Sequence, residues 1–518
     1  MRTFKTAALA ALLMLGTAHV AQAQVARPIL KIGVAKLPTG FDPGLNISNV
    51  GQRVNYSIFD ELIRRAYWEG EKGDGAADAP SLATAWRNVS PLEWEVDIRT
   101  DVVFHNGAPM TAEDIAYSFS EERVWGESPI VAEGPTYFGN FTAVDVVDAD
   151  TIKFTTEAPD PIFPKRFTTT MGKVVPKAYY TEVGVDEFNL HPIGTGPYKL
   201  EEFLPGEMIR LVSNDAYWGG LPPAQEVQYI EIPEEAARIT GLLNGELDMI
   251  TNVSPDQQST LEASDAVTVY PAIIENSRVM TFNTLQAPID NADLRRAMIY
   301  AVDREAIVEA LWGGQSFVPH ELDSPGHGAD YQADRPQISY DPSEAKRLIE
   351  ASGYKGEELV FRIHGGYYTN YEAMAEVMQQ MWAAVGLNVK LDIRDGATLR
   401  EGEYHMLAWS NGQQMADITH PMSNTYGPAA VRTRPDAKQF MWAAPARFHE
   451  LVKLMETTLD HDQRIAYFNQ ALDIFEDEAP QMEMFQALEF YATRKGINWK
   501  PYSFWPMDIG PTNLSFSD

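Results

Sequence analysis

His191 to Gly220 reads HPIGTGPYKLEEFLPGEMIRLVSNDAYWGG. Gly194, Gly196, Pro197, Pro205 and Gly206 punctuate two short runs, Tyr198 to Phe203 and Met208 to Val212, in which apolar and polar residues partly alternate, as in a half-buried hairpin. Asn214-Asp-Ala-Tyr-Trp-Gly-Gly then forms an aromatic, glycine-bearing exit ahead of another strand-like run, Glu226 to Ile232. The Gly-Thr-Gly-Pro-Tyr-Lys segment is not a phosphate loop, because the terminal Gly-Lys-Ser/Thr is missing.

Around this hairpin lies a chain of 518 residues, 45% hydrophobic, which is too long for one ordinary core and predicts two or three domains. Arg2 and Lys5, the apolar run Ala7 to Gly16 and Ala21-Gln22-Ala23 spell a secretory leader cleaved after Ala23. No cysteine follows the leader, so an N-terminal lipid anchor is not expected. The net charge of −32 becomes more negative once Arg2 and Lys5 leave, and such a surface repels nucleic acid and anionic lipid. With no cysteine anywhere, stability must come from packing rather than disulfides.

The order G-T-G-P-Y-x-L, P-G-E, N-D-x-Y-W-G-G resembles the signature of the extracellular solute-binding proteins of ABC importers, family 5, the peptide, nickel and opine branch. Further blocks carry the same resemblance. PSLATAW followed by WEVDIRTDVVFHNGAPMTAEDIAYSF matches a helix turn, two strands and a capped helix. EEAARITGLLNGELDM and MTFNTLQAPIDNADLRRAMIYAVDREAIVEALWGG follow in the expected order. The resemblance implies an α/β, periplasmic-binding-protein-like fold of type II, two lobes joined by a hinge, with an extra domain in the first lobe. It implies residues 24–68, 190–284 and 495–518 as domain I, 69–189 as domain II and 285–494 as domain III, with crossings near 68, 190, 284 and 494. It further implies a periplasmic receptor, working as a monomer, that hands a small-molecule solute to the permease subunits of an importer without a cofactor of its own.

Residue patterns support the same elements. Trp94, Val96 and Ile98 alternate with Glu95 and Asp97, and Thr111 with Asp114 has capping-box spacing. YSIFDELIRR, Tyr56 to Arg65, has helical spacing. Leu294, Ala297, Met298, Ala301 and Val302 form an apolar helix face with Arg295, Arg296 and Glu305 outside. Arg238 and Asp248 are placed to form a solvated pair. Tyr371 to Val385 reads as a helix between two strands, Val360 to His364 and Leu387 to Ile393, a βαβ unit whose ligand loops begin at Gly365 and Trp409.

In dipeptide-binding relatives the first of these loops carries an arginine for the peptide carboxylate, and the second reads Gly-Trp-x-x-Asp, the aspartate holding the ammonium. Here the loops read Gly365-Gly366-Tyr367-Tyr368 and Ala408-Trp409-Ser410-Asn411-Gly412. The chain offers instead Trp409, Tyr367, Tyr368 and Tyr426 for stacking, Asn411, Gln413, Gln414 and His420 for hydrogen bonds, and Asp417 as the main charge. Trp409 equally suits core packing, Gln413 and Gln414 a solvated loop, and His364 the end of a strand. Asn46, Ser48 and Asn49 either line the cleft, as the resemblance implies, or cap the helix that begins near Val50.

This set suits sugar conjugates, opines, short oligosaccharides or modified peptides. His105 stands alone and reads as structural, and the scattered histidines form no metal cluster in the sequence. No Gly-x-Ser-x-Gly or His-Glu-x-x-His occurs, so a hydrolase would have to be of the paired-carboxylate kind, such as a glycosidase. The remaining alternatives are a dipeptide receptor with other anchors and a chaperone for extended chains. A free dipeptide, lacking both ionic anchors, is expected to leave the melting midpoint unchanged in a thermal-shift assay; a large upward shift would contradict the reading of positions 365 and 412.

Overall fold

A computed structural model describes residues 27–67 and 75–517. The predicted leader and the predicted crossing near residue 68 lie outside the described residues. The opening stretch folds as its punctuation implies: Tyr198–Leu204 and Met208–Ser213 pair as an antiparallel hairpin, and Glu226–Glu231 adds beside it. The glycines before the hairpin are there for close approach. A Cβ on Gly194 would lie 2.1 Å from the carbonyl oxygen of Ile58, and one on Gly196 2.6 Å from its carbonyl carbon. That contact lets the Gly196 N–H donate to the Ile58 carbonyl at 2.9 Å, tying the hairpin to the end of the helix Asn49–Ile58.

The same stretch converges on one buried carboxylate. Asp60 accepts hydrogen bonds from the Thr195 hydroxyl at 2.9 Å, the Tyr217 hydroxyl at 3.0 Å and the Trp218 indole N–H at 2.9 Å. Arg64 adds an ion pair at 3.3 Å. Burial pushes the Asp60 pKa up, while Arg64 and the Trp218 and Thr195 bonds work to keep it charged.

Ten strands form one continuous sheet. At its centre two long antiparallel strands, Val267–Phe282 and Gln481–Arg494, pair with each other over most of their length. Their Val267 and Arg494 ends carry the first lobe, through Met249–Val253, Ile29–Val34 and the hairpin. Their Phe282 and Gln481 ends carry the second lobe, through Met406–Gly412, Leu359–His364 and Val389–Arg394. Register slips between Ile273 and Ser277, where the two lobes meet.

The buried apolar residues fall into separate cores. The first gathers Ile32, Tyr198, Tyr229 and Met507; the second gathers Met280, Phe361, Met374 and Trp382 around the βαβ unit. A third fills a four-stranded antiparallel unit, Ala83–Ser90, Glu93–Ile98, Thr151–Thr156 and Phe141–Val146, with Phe119, Phe154 and Phe167. The helices Thr419–Tyr426, Ala446–Thr457 and His461–Glu478 share a fourth.

Several expectations need correction. The helix predicted over Tyr56–Arg65 ends at Ile58, and Ile63–Arg65 is a strand, because this segment turns inward and pairs with Asp78–Pro80. PSLATAW holds no helical turn: Pro80 ends one strand and Ala83 begins the next. Arg295 is buried rather than outside, its guanidinium donating to the carbonyls of Ile289, Asp290 and Ala479 at 2.9, 2.8 and 3.1 Å. Arg238 and Asp248 do not pair: Arg238 serves the carbonyls of Ile232, Pro233 and Asn252, and Asp248 faces Arg494 at 3.2 Å. The capping box at Thr111 and Asp114 is present as spaced.

Replacing Gly196 by Ala is expected to cost about 3 kcal/mol in urea unfolding, because backbone cannot move aside. The open Gly107, whose added Cβ would touch nothing within 4 Å at φ +85°, should lose only about 1 kcal/mol as Ala. Equal losses would remove the close-approach explanation.

Candidate functional site in the interlobe cleft

From Gly412 to His420 the second lobe reaches onto the first. The strand Met406–Gly412 runs through Trp409 to Gly412, so the loop expected from Trp409 starts only afterwards. Gln413 then joins three elements: its N–H donates to the Glu275 carbonyl at 2.9 Å, its carbonyl accepts from Arg65 at 3.3 Å, and its side-chain oxygen accepts from the Ser324 hydroxyl at 2.7 Å. Gln414 closes a pocket whose other walls include Tyr56, Glu61, Arg64, Thr169 and Lys173 of the first lobe. About 20 Å³ remains inside, room for one water. Met415 enters the core of the four-stranded unit. His420 stacks on Tyr137 at 6.2 Å.

Several charges around the cleft are matched within the protein. Arg65 holds Glu275 at 2.5 Å and Lys173 holds Glu61 at 2.6 Å. Burial raises the Glu275 pKa, opposed by Arg65. Burial also works against the Asp417 charge, but Arg464 at 2.6 Å and the Thr419 hydrogen bonds outweigh it and hold that carboxyl below its ordinary range. Asp417 also accepts the Thr419 N–H at 2.8 Å, just ahead of the helix Thr419–Tyr426.

Beside this wedge runs a ladder of rings. His364 stacks on Tyr367 at 4.5 Å, Tyr367 meets Tyr368 edge-on at 4.6 Å, and Tyr368 tilts against Tyr371 at 4.7 Å. The Tyr368 hydroxyl bonds the Ser410 hydroxyl at 2.8 Å, fixing the ladder to the neighbouring strand. Tyr367 is 52% exposed and keeps a ring face open.

The remaining predicted residues are placed differently. Trp409 packs with Leu399, Tyr404, Leu407 and Met441, the Arg400 guanidinium 4.9 Å from its ring. Asn411 donates to the Gln481 side-chain oxygen at 2.8 Å, and the Tyr426 hydroxyl donates to the same oxygen at 2.5 Å, so these two belong to a buried network behind the ladder. Ser48 caps its helix by accepting the Gly51 N–H at 3.3 Å, Asn49 accepts the Val50 N–H, and Asn46 donates to Asn189 at 2.7 Å. His364, Tyr367 and Tyr368 thus share one ring ladder, while Gln413, Gln414, Asp417 and His420 belong to the segment that meets the first lobe.

Sequence reasoning missed Arg65, Glu275 and Arg278. A readable signal existed for the last two: they bound a short polar run, Glu275-Asn-Ser-Arg278, set between the apolar Ile273-Ile274 and Val279-Met280. No group of three or more metal-ligating side chains occurs among the described residues. No described helix is long and apolar enough to cross a membrane.

With this geometry in hand, residues 79–432 match the model of the bacterial extracellular solute-binding proteins, family 5 Middle. The chain is 26% identical over 510 residues to the "Probable D,D-dipeptide-binding periplasmic protein DdpA" of Escherichia coli K12, covering 96% of each chain. Among solved structures it resembles the periplasmic binding protein DppA of Helicobacter pylori in complex with the peptide STSA, with TM-score 0.81, 19% identity and coverage of 95% and 98%. It resembles equally NikZ of Campylobacter jejuni in complex with Ni(L-His), with TM-score 0.81, 17% identity and coverage of 95% and 100%.

Burial lowers the His420 pKa to about 4. Because the unfolded side chain titrates near 6.5, the unfolded state binds more protons between those values, so stability is complete above about pH 6.5 and is lost as pH falls toward 4. Chemical unfolding at pH 7 and pH 5 should show a loss of up to about 2 kcal/mol from this group, absent in His420→Gln. An identical pH dependence in both proteins would contradict it.

Proposed function

Because the chain belongs to the bacterial extracellular solute-binding proteins of family 5, we propose that it captures a small polar solute between its lobes and delivers it to the membrane subunits of an ABC importer. One observation carries this reading: Gln413 to His420 of the second lobe lie on the first lobe, while the continuous backbone link between the lobes is a pair of long strands with a register slip between them. Such a pair can bend, and a ligand that contacts both lobes favours the closed arrangement.

In this proposal residues 24–68, 190–284 and 495–518 make domain I, 69–189 domain II and 285–494 domain III. Residues 1–23 are a cleaved leader, and the mature protein acts in the periplasm as a monomer without a lipid anchor. Tyr367, Tyr368 and His364 offer ring faces and Gln414 an amide, with Gln413 and His420 buried beneath to shape the surface, which suits a sugar conjugate, an opine, a short oligosaccharide or a modified peptide. Asn411, Tyr426, Trp409 and Asp417 hold that surface in place from behind. Asn46, Ser48 and Asn49 shape the facing loop of the first lobe. A dipeptide reading with other anchors draws on the names of the relatives and loses support from Gly412, where no side chain can hold an ammonium.

The solute leaves unchanged. A thermal-shift panel of peptides, opines, oligosaccharides and metal chelates should give one compound class that raises the midpoint, recovered intact by mass spectrometry after incubation. A hydrolysed compound would indicate an enzyme, and a comparable shift with many unrelated extended peptides would indicate a chaperone.

A further inference from the structure

Buried arginines in this protein are generally neutralised or saturated. Arg53, Arg65 and Arg464 each grip a carboxylate, at 2.7, 2.5 and 2.6 Å. Arg238 and Arg295 donate to the carbonyls around helix ends. Arg278, in the strand Val267–Phe282, is only 8% exposed and differs from these five; Arg432, equally buried, donates to the Tyr426 hydroxyl at 3.2 Å within the second lobe. Its hydrogen bond goes from Nη1 to the Asn276 side-chain oxygen at 2.6 Å, and among the described residues it forms no ion pair with a carboxylate.

The ring of Tyr368 covers one face of the guanidinium at 3.9 Å. A cation–π contact recovers only part of the hydration that burial removes. Glu483, which like Arg278 acts on Tyr371, is no counter-ion: burial and the neighbouring Glu321 push its pKa well up, toward the neutral acid.

Position completes the picture. Arg278 lies opposite Ser410 in the sheet, and Ser410 bonds Tyr368. The Asn276 amide that Arg278 bonds is 3.3 Å from where a Cβ on Gly412 would sit, and the Trp505 ring is 3.7 Å from the same point. Arg278 therefore stands where the ring ladder, the strand leading to the wedge and the C-terminal segment of the first lobe meet. Across the opening, Lys36 of the first lobe places a second positive charge close enough to act on His364.

We propose that Arg278 is the anion receptor of the cleft, taking a carboxylate of the captured solute on its unused N–H edge, so that the cargo is a polar compound bearing a carboxylate rather than a neutral sugar. This rests on the receptor reading of the cleft. An arginine fork matches a carboxylate with two parallel hydrogen bonds, and Tyr368 holds the fork flat.

Formate is the probe, with chloride at equal ionic strength as control, in thermal unfolding of the whole secreted chain. Formate should raise the wild-type midpoint saturably, bind Arg278→Met about tenfold more weakly, and keep part of its effect in Arg278→Lys, where charge remains without the fork. Without formate, Arg278→Met should melt at the wild-type temperature or above, because it removes a buried cation that lacks a counter-ion. No wild-type response, an equal response in Arg278→Met, or a lower unliganded midpoint for Arg278→Met overturns the proposal. Failure of the receptor reading is distinguishable, since the solute panel would then give no binding while the formate response at Arg278 persisted.

Discussion

Two antiparallel strands hold this molecule together, Val267–Phe282 and Gln481–Arg494, and the rest of the ten-stranded sheet extends from one side of them or the other. A sheet that ran without interruption through both lobes would be stiff. Here the register slips between Ile273 and Ser277, and the ladder of hydrogen bonds is locally broken at the boundary between cores. The lobes are thus separately packed bodies on a shared and weakened backbone. Contacts between them, rather than the backbone link, decide their relative position.

Those contacts are polar: the Gln413 N–H donates to the Glu275 carbonyl, and Arg65 donates to the Gln413 carbonyl. The buried ion pairs beside them, Glu275 with Arg65 and Asp417 with Arg464, each stand within one lobe and hold the groups that meet across the cleft. Buried ion pairs add little net stability, because desolvation cancels most of the attraction, but breaking one leaves a charge stranded. The hydrogen bonds made across the cleft by Gln413 favour the closed arrangement without making it very deep. For a protein that must close on a solute and later release it, a shallow, well-defined closed state is the useful one. The acidic surface fits a partner that is neither nucleic acid nor anionic lipid.

Much of the fold was legible in the residues. The alternation read from Tyr198 to Phe203 and from Met208 to Val212, and the capping box at Thr111, each reflect local physics, and the structure has strands and a cap there. Glycines 194 and 196 were visible as punctuation, yet their reason, the Ile58 carbonyl beneath them, is a contact between segments far apart in the chain. Tyr56–Arg65 misled because its spacing is helical while its last residues serve a strand and the Asp60 hub. The site was harder. Trp409 and Tyr426 looked like stacking platforms by residue type; in the fold Tyr426 lies in a core, and Trp409, partly buried, packs against one. Arg65, Glu275 and Arg278 carry the electrostatics of the cleft, and single charges acquire that meaning only when the chain brings them together.

Cysteine is absent from the sequence, so a pair of labels can be introduced cleanly at Val147→Cys in the first lobe and Leu459→Cys in the second, both half-exposed in the folded protein. Pulsed electron-spin distance measurement then reads the gap between lobes directly, with and without a solute that raises the melting midpoint. Two hinged lobes predict a broad distribution with a longer component in the unliganded protein, collapsing to one shorter distance when solute is added. The same narrow distance in both conditions would contradict a hinge and mean that the lobes form one rigid body.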